Sequence, residues 1–351
     1  MRSLFLKIKK IAIIFVFALT FVSALLYIIC MMSSNFAEFI NSSTVLVRKT
    51  LSITTSIFPF SLFECLVIVS LIIMIVSILK RNLKITSLLK GMAVFLSLYF
   101  VLFVFTIASG YHTVPLEEKI ELKAIKSSEQ ELYLALTIIV DELNRLSSNI
   151  SYLENGSSSM QYDFSKLSDK IYNGYKKIDF INNFNSRVKP LITSKLLSYA
   201  HISGIYIPIT AEANINTNYP DYVVSISAAH EMAHQRGIAR ENEACFCGFL
   251  ALINSDDDYL KYCGYLDGYS NMLSDLKQRN KALAGKVEER LNKKVNGELK
   301  AYKAVISKYK NSKVKGISEK INNSFLQANG DRNGIKSYNI SDILIAYLLS
   351  R

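Results

Sequence analysis

The sequence predicts a mainly helical α+β domain attached to three transmembrane helices. Three observations carry this. Residues 1–110 hold three long apolar runs. The remainder has the mixed polarity of a water-exposed domain. Within it, two short β-type stretches stand among longer runs of helical period.

The apolar runs are Ile11–Met32, Ser61–Leu79 and Met92–Ser109. Each is long enough to cross about 30 Å of hydrocarbon as a helix, the third near the short limit. Charge divides the chain at the same place. Residues 1–110 carry ten Lys/Arg against two Asp/Glu, and residues 111–351 carry 31 against 27. Arg2, Lys7, Lys9 and Lys10 precede the first run, and Lys80, Arg81, Lys84 and Lys90 lie between the second and third. The longer connection between the first two holds only Arg48 and Lys49. The positive-inside rule then expects a multi-pass protein of the cell membrane, with the N-terminus and the 80–90 loop cytoplasmic and residues 111–351 extracytoplasmic. A cleaved signal peptide would share the basic start, but no convincing small-x-small site follows and the run is long for a signal core. The domain would then lie on the same side.

The expected partners are therefore the lipid bilayer and a protein or peptide substrate. Nucleic acid is not expected, since there is no binding motif and no focused basic stripe. The five cysteines, Cys30, Cys65, Cys245, Cys247 and Cys263, do not form a disulfide framework and read as small buried thiols. Glu64, near the outer end of the second run, is either an interfacial carboxylate or a functional group inside the membrane.

Residues 111–126 read as a connector containing Pro115. Ser128 and Glu131 form a capping-box pattern ahead of an amphipathic run ending near Ser147. Asn155–Ser159 is a loop signal, and a helix is expected from Phe164 to Lys177. Gly204–Ile209 (GIYIPI) reads as a strand, and Ala213–Asn218 (ANINTN) as a second, edge-like strand. Pro220 and Asp221 open a helix over 222–236 that Gly237 ends. Further helices are expected over 240–255 and 259–272, one or two solvated Lys/Glu-rich helices over 273–310, and a last apolar helix over 340–349. At ten residues the last is too short to span.

His230-Glu231-Met232-Ala233-His234 fits HExxH. On a helix, positions i and i+4 share a face, so both imidazoles can reach one ion, expected to be zinc. Glu231 stands about 100° round the helix and suits a general base that takes a proton from metal-bound water. The scheme needs a third protein ligand. Glu243 is the expected one, brought back by the turn at Gly237 and followed by the small Ala244; Glu241 is the alternative. His112 and His201 are isolated and read as structural. Tyr262, Tyr265 and Tyr269 form a helical stripe that reads as core, with Tyr265 a candidate for oxyanion stabilisation. Glu212, Asn214 and Asn216 are candidate substrate contacts on the second strand, though polar decoration of an exposed edge explains them equally well.

The stretches GIYIPITAEANINTN, AAHEMAHQRGIARENEACF and SDDDYLKYCGYLDGY, with LQANGDRNGIKSYNISDILIAYLL near the C-terminus, resemble bacterial domain-of-unknown-function family 3810. The resemblance covers nearly the whole chain. It implies a membrane-anchored, zincin-like protein with a presumed metallopeptidase role and no defined substrate. A looser likeness reaches HExxH-plus-Glu zinc peptidases, whose third ligand commonly begins an E-A-N/D-x-F block. Glu243-Ala244-Cys245-Phe246 matches except at Cys245. The expectation is thus a zincin-like domain hydrolysing peptide bonds, with His230, His234 and Glu243 on zinc and Glu231 as base. The rival is a membrane sensor or assembly factor whose metal site is structural or regulatory.

Overall fold

The computed structural model describes residues 2–80, 84–122, 126–310 and 312–350. The tip of the basic loop, including Arg81, and residues 123–125 of the connector lie outside the described residues. In chain order the helices of the first third are α1 (Arg2–Met32), α2 (Ser34–Ser43), α3 (Val45–Thr55), α4 (Leu62–Leu79) and α5 (Ile85–Thr106). Then follow α6 (Leu116–Lys119), α7 (Glu129–Leu146) and α8 (Phe164–Tyr175). A three-stranded sheet is built from β1 (Val188–Pro190), β2 (Gly204–Ile207) and β3 (Glu212–Ile215), with α9 (Ser194–Tyr199) between β1 and β2. The rest is helical: α10 (Asp221–Gln235), α11 (Glu241–Ile253), α12 (Asp258–Arg279), α13 (Lys281–Glu289), α14 (Lys293–Ser307), α15 (Lys313–Ala328) and α16 (Ser341–Leu349).

The chain is a membrane protein. Lys10–Met32, Leu62–Leu79 and Ile85–Thr106 are long and apolar enough to cross a bilayer. The third begins earlier than its apolar run, because Lys90 stands exposed on the helix surface, where a lysine stem can lie along apolar neighbours. Residues 34–55, in the connection between the first two apolar runs, form two helices that fold back against the later part of the chain. Glu64 proves to be a clasp. Its carboxylate accepts from the backbone N–H groups of Ile192 and Thr193 and from the Thr193 hydroxyl.

Local signals place the next elements well. The capping box at Ser128 forms in both directions and starts α7. The α7 residues Leu132, Leu136, Ile139 and Leu143 share one face and are fully buried. With α11, α12 and α16 they make one core, into which Phe246, Phe249, Leu266 and Leu344 pack. All five cysteines are free thiols.

The sheet corrects one expectation. Its order is β1–β3–β2, β1 parallel and β2 antiparallel to β3. The strand read as edge-like is therefore central, and β2 is the edge beside α10. The sequence concealed this because β1 is only three residues long and ends at Pro190. Paired on both sides, β3 has no free backbone for a substrate. Glu212, Asn214 and Asn216 are all fully buried. Glu212 ion-pairs with Lys189 at 2.5 Å and accepts from the N–H groups of Leu62 and Phe63, which open α4. The Lys189 ammonium also donates to the Thr55 carbonyl at the end of α3. Asn216 donates to Ser198 and Ile202 and accepts from the Asn218 N–H, which shapes the loop beside β3.

A buried charge is tolerated when it is paired and its remaining hydrogen-bonding capacity is filled. Glu212→Ala would strand the Lys189 ammonium and two helix-opening N–H groups at once. It should destabilise the chain by about 3–5 kcal/mol. Lys189→Met, which leaves Glu212 its two backbone donors, should cost less. Thermal unfolding of the full chain in detergent checks the order.

Candidate metal centre

Gly237 determines the geometry of this site. Helix α10 ends at Gln235, and Gly237 takes φ +88°, a left-handed conformation that glycine adopts without the penalty a Cβ brings. The N–H groups of Arg236 and Ile238 both reach the Ala233 carbonyl, and the Gly237 N–H reaches that of His234. The turn reverses the chain and starts α11 against α10. From outside, the Asn41 side chain donates to the Gly237 carbonyl at 3.2 Å. Arg48, fully buried, donates to the Asn41 side chain and backbone and to Thr44. A Cβ on Gly237 would come within 2.6 Å of the Arg48 guanidinium carbon.

The reversal brings three donors together: His230, His234 and Glu241. The His230 and His234 Nε2 atoms lie 3.1 Å apart. Glu241 Oε2 is 3.1 Å from the first and 3.5 Å from the second. Tetrahedral zinc with ligands at about 2.0–2.1 Å separates its donors by about 3.3 Å, so the triangle has the right size. The ring orientations are set from behind. His234 Nδ1 faces the Ile238 carbonyl at 2.7 Å, and His230 Nδ1 faces Cys245 Sγ at 3.5 Å. Both Nε2 atoms are therefore left for an ion, as second partners of ligating histidines ordinarily arrange. Among the described residues, these three are the His, Cys, Asp and Glu side chains that converge here.

The expected third ligand needs correcting. Glu243 does not join the cluster. Its carboxylate accepts from the Leu116 N–H at 2.9 Å and pairs with Arg240 at 2.7 Å. Arg240 also donates to the Thr113 carbonyl, so Glu243 holds the α6 segment in place. Residues two apart on a helix diverge by about 200°, so only one of the two glutamates can face the histidines. Cys245, where a departure from the peptidase-like block stood, is the residue behind His230.

Glu231 is buried beside the cluster, and its Oε2 has no hydrogen-bond partner. Burial holds its carboxyl above the ordinary range, against the pull of His230 and His234. The β2 edge lies directly over it. A Cβ on Gly204 would come within 2.8 Å of the Glu231 side chain, and the Tyr206 N–H bonds to its carboxylate. Burial alone would raise Glu241, but the two histidines overturn this and hold it well below the carboxylate range. For His234, burial pulls down while Glu241 lifts it further, to about 9.

Several neighbours were not legible in the sequence. The Tyr338 ring stacks on His230, with centroids 6.3 Å apart and 21° between planes. The Tyr206 ring lies 6.2 Å from His234. Asp267, pushed up to about 6 by burial and opposed by His230, contributes charge from α12. Tyr265 packs edge-on against Phe249 in the core instead. His112 faces the Tyr27 hydroxyl and His201 the Tyr309 carbonyl, and neither joins the cluster.

The model of a family described as "Protein of unknown function (DUF3810)" matches residues 39–345. No curated protein and no solved structure matches the chain.

Two outcomes follow from this geometry. His230→Ala and Glu241→Ala should each abolish stoichiometric metal binding by the purified full chain, whereas Glu243→Ala should keep it; elemental analysis after dialysis reads this. A metal must also displace the His234 proton, which is present below about pH 9 in the metal-free protein. Affinity should therefore fall about tenfold per unit as pH drops from 9 towards 7, with about one proton released on binding. Calorimetry in buffers of different ionisation enthalpy measures that proton.

Proposed function

The chain belongs to the DUF3810 family, and we propose that it is a membrane-anchored zinc-dependent metallopeptidase with a zincin-like domain on the outer side of the cytoplasmic membrane. The observation that carries this reading is the triangle of His230, His234 and Glu241 with the buried, half-unpartnered Glu231 beside it. A purely structural zinc site closes its shell with four protein ligands, and here three converge.

His230, His234 and Glu241 would hold zinc. Zinc, when bound, supplies Lewis acidity that polarises a carbonyl and brings the pKa of water towards neutrality. The remaining work falls to the chain's own groups. Glu231 accepts a proton from the attacking water, whose oxygen bonds to the carbonyl carbon. As the C–N bond breaks, Glu231 passes that proton to the leaving nitrogen. A carboxylate raised by burial suits both roles, since it must take a proton and then give it up. Cys245 and the Ile238 carbonyl keep the imidazoles oriented.

The extended edge of β2 supports a peptide as substrate. Among the described residues β2 has β3 as its one strand partner, and it runs beside the HExxH helix. A substrate backbone lying along that edge would pass over Glu231, and edge pairing recognises extended peptides by main-chain hydrogen bonds. The extracytoplasmic side is supported by the basic flanks of the spans.

Glu231→Gln keeps the shape and cannot accept the proton. It should retain bound zinc and near-native thermal stability while turnover of a quenched fluorescent peptide library falls by about 10²–10⁴. If the variant turns over the library like the parent, or fully complements a deletion strain, the peptidase reading fails and a regulatory metal site takes its place. For topology, an impermeant thiol reagent should label intact cells carrying Glu154→Cys, an exposed position, and should spare Asn82→Cys. The reverse pattern would put the metal centre in the cytoplasm.

A further inference from the structure

Helix α15 exposes a stripe of large apolar side chains. Val314, Ile317, Ile321 and Phe325 are 50%, 59%, 65% and 42% exposed. At 100° per residue they fall within about 80° of one another. Asn322 and the buried Leu326 face the protein on another side, where Asn322 donates to the Tyr338 hydroxyl. Lys313, Lys320 and Gln327 occupy the third side, all exposed. A helix wholly in water needs two faces, one inward and one polar. This one has three, and its sixteen residues, about 24 Å long, are too few and too polar to span.

The neighbours of α15 show what meets the apolar face. Phe325 packs edge-on against Phe103 in the last turn of α5, with centroids 6.0 Å apart, and against Tyr111 just beyond it. Asn329, which caps α15, accepts from the Tyr27 hydroxyl near the end of α1. The stripe thus continues the apolar surface of two spans at one end of the bundle. Glu64, in the first turn of α4, holds the segment leading into α9, where Ile192 and Leu196 are 70% and 68% exposed. Residues 300–320 contain seven lysines and one glutamate, the charge that lies well at anionic headgroups.

We infer that α15 lies in the lipid–water interface of the bilayer that holds the spans. Its Val314–Phe325 stripe sits in the acyl boundary and its lysines at the headgroups. This is the arrangement of an interfacial amphipathic helix, with aromatic and aliphatic side chains on one face and basic ones on the other. It does not depend on the metal centre being catalytic.

The chain contains no tryptophan, so a single introduced one reports its own surroundings. Ile317→Trp, Ile321→Trp and, as the water-facing comparison, Gln327→Trp would be made in the full chain and placed in nanodiscs containing phosphatidylcholine and phosphatidylglycerol. Lipids brominated near the headgroup end of the chain should quench Ile317→Trp and Ile321→Trp at least twofold, while aqueous iodide barely affects them. Gln327→Trp should show the opposite. If all three respond to iodide and none to bromolipid, the helix stands in water and the inference fails. If the two stripe positions respond to neither quencher, protein covers the stripe, and the inference fails in favour of a second copy or another polypeptide.

Discussion

The left-handed turn at Gly237 is the constraint on which the rest of the site depends. Without a reversal there, Glu241 could not meet the two histidines of the preceding helix. The turn is held from both directions. The His234 and Ala233 carbonyls capture it from within α10, and Asn41 and Arg48 close on it from the helices between the first two spans. The His230–His234–Glu241 cluster thus sits on a joint whose outer half is made by the membrane-proximal chain. A small second core reinforces the joint, in which Ile107, Tyr111, Tyr206, Ala211, Ala239 and Leu326 come from four separate parts of the sequence.

What the sequence made legible follows from physics that is local. HExxH needs only helical period, the capping box at Ser128 needs four consecutive residues, and the spans need only length and apolarity. Which glutamate joins the two histidines was not local. Glu241 and Glu243 stand two residues apart with the same chemistry, and only the angle at which α11 leaves the turn separates them. The block resemblance pointed to Glu243. Arg240 and the Leu116 N–H had already engaged that carboxylate. Both expected strands form, but the edge-like reading of the second failed similarly, since three residues of β1 carry no readable period yet convert β3 from an edge into a centre.

Helices α2, α3 and α15 escaped for a related reason. None carries a strong helical signal, and each draws its order from partners distant in the chain. For α3 these partners are Thr55 meeting Lys189 and Ser52 meeting the Ala211 carbonyl. For α15 they are Phe103 and Tyr111. Its apolar residues do recur at helical spacing, but Gly316 and the Asn322–Asn323 pair weaken the propensity that would have drawn attention to it.

The Lys189–Glu212 pair has a consequence for biogenesis. The N–H groups that complete it belong to Leu62 and Phe63, about 150 residues earlier in the chain, at the head of a span. During synthesis those donors enter the bilayer long before their acceptor leaves the ribosome. The sheet therefore closes on donors that the membrane-spanning part of the chain supplies. A polypeptide begun at residue 111 would reach the same point with a buried lysine and glutamate facing nothing but each other, and without the arginine that braces the ligand turn.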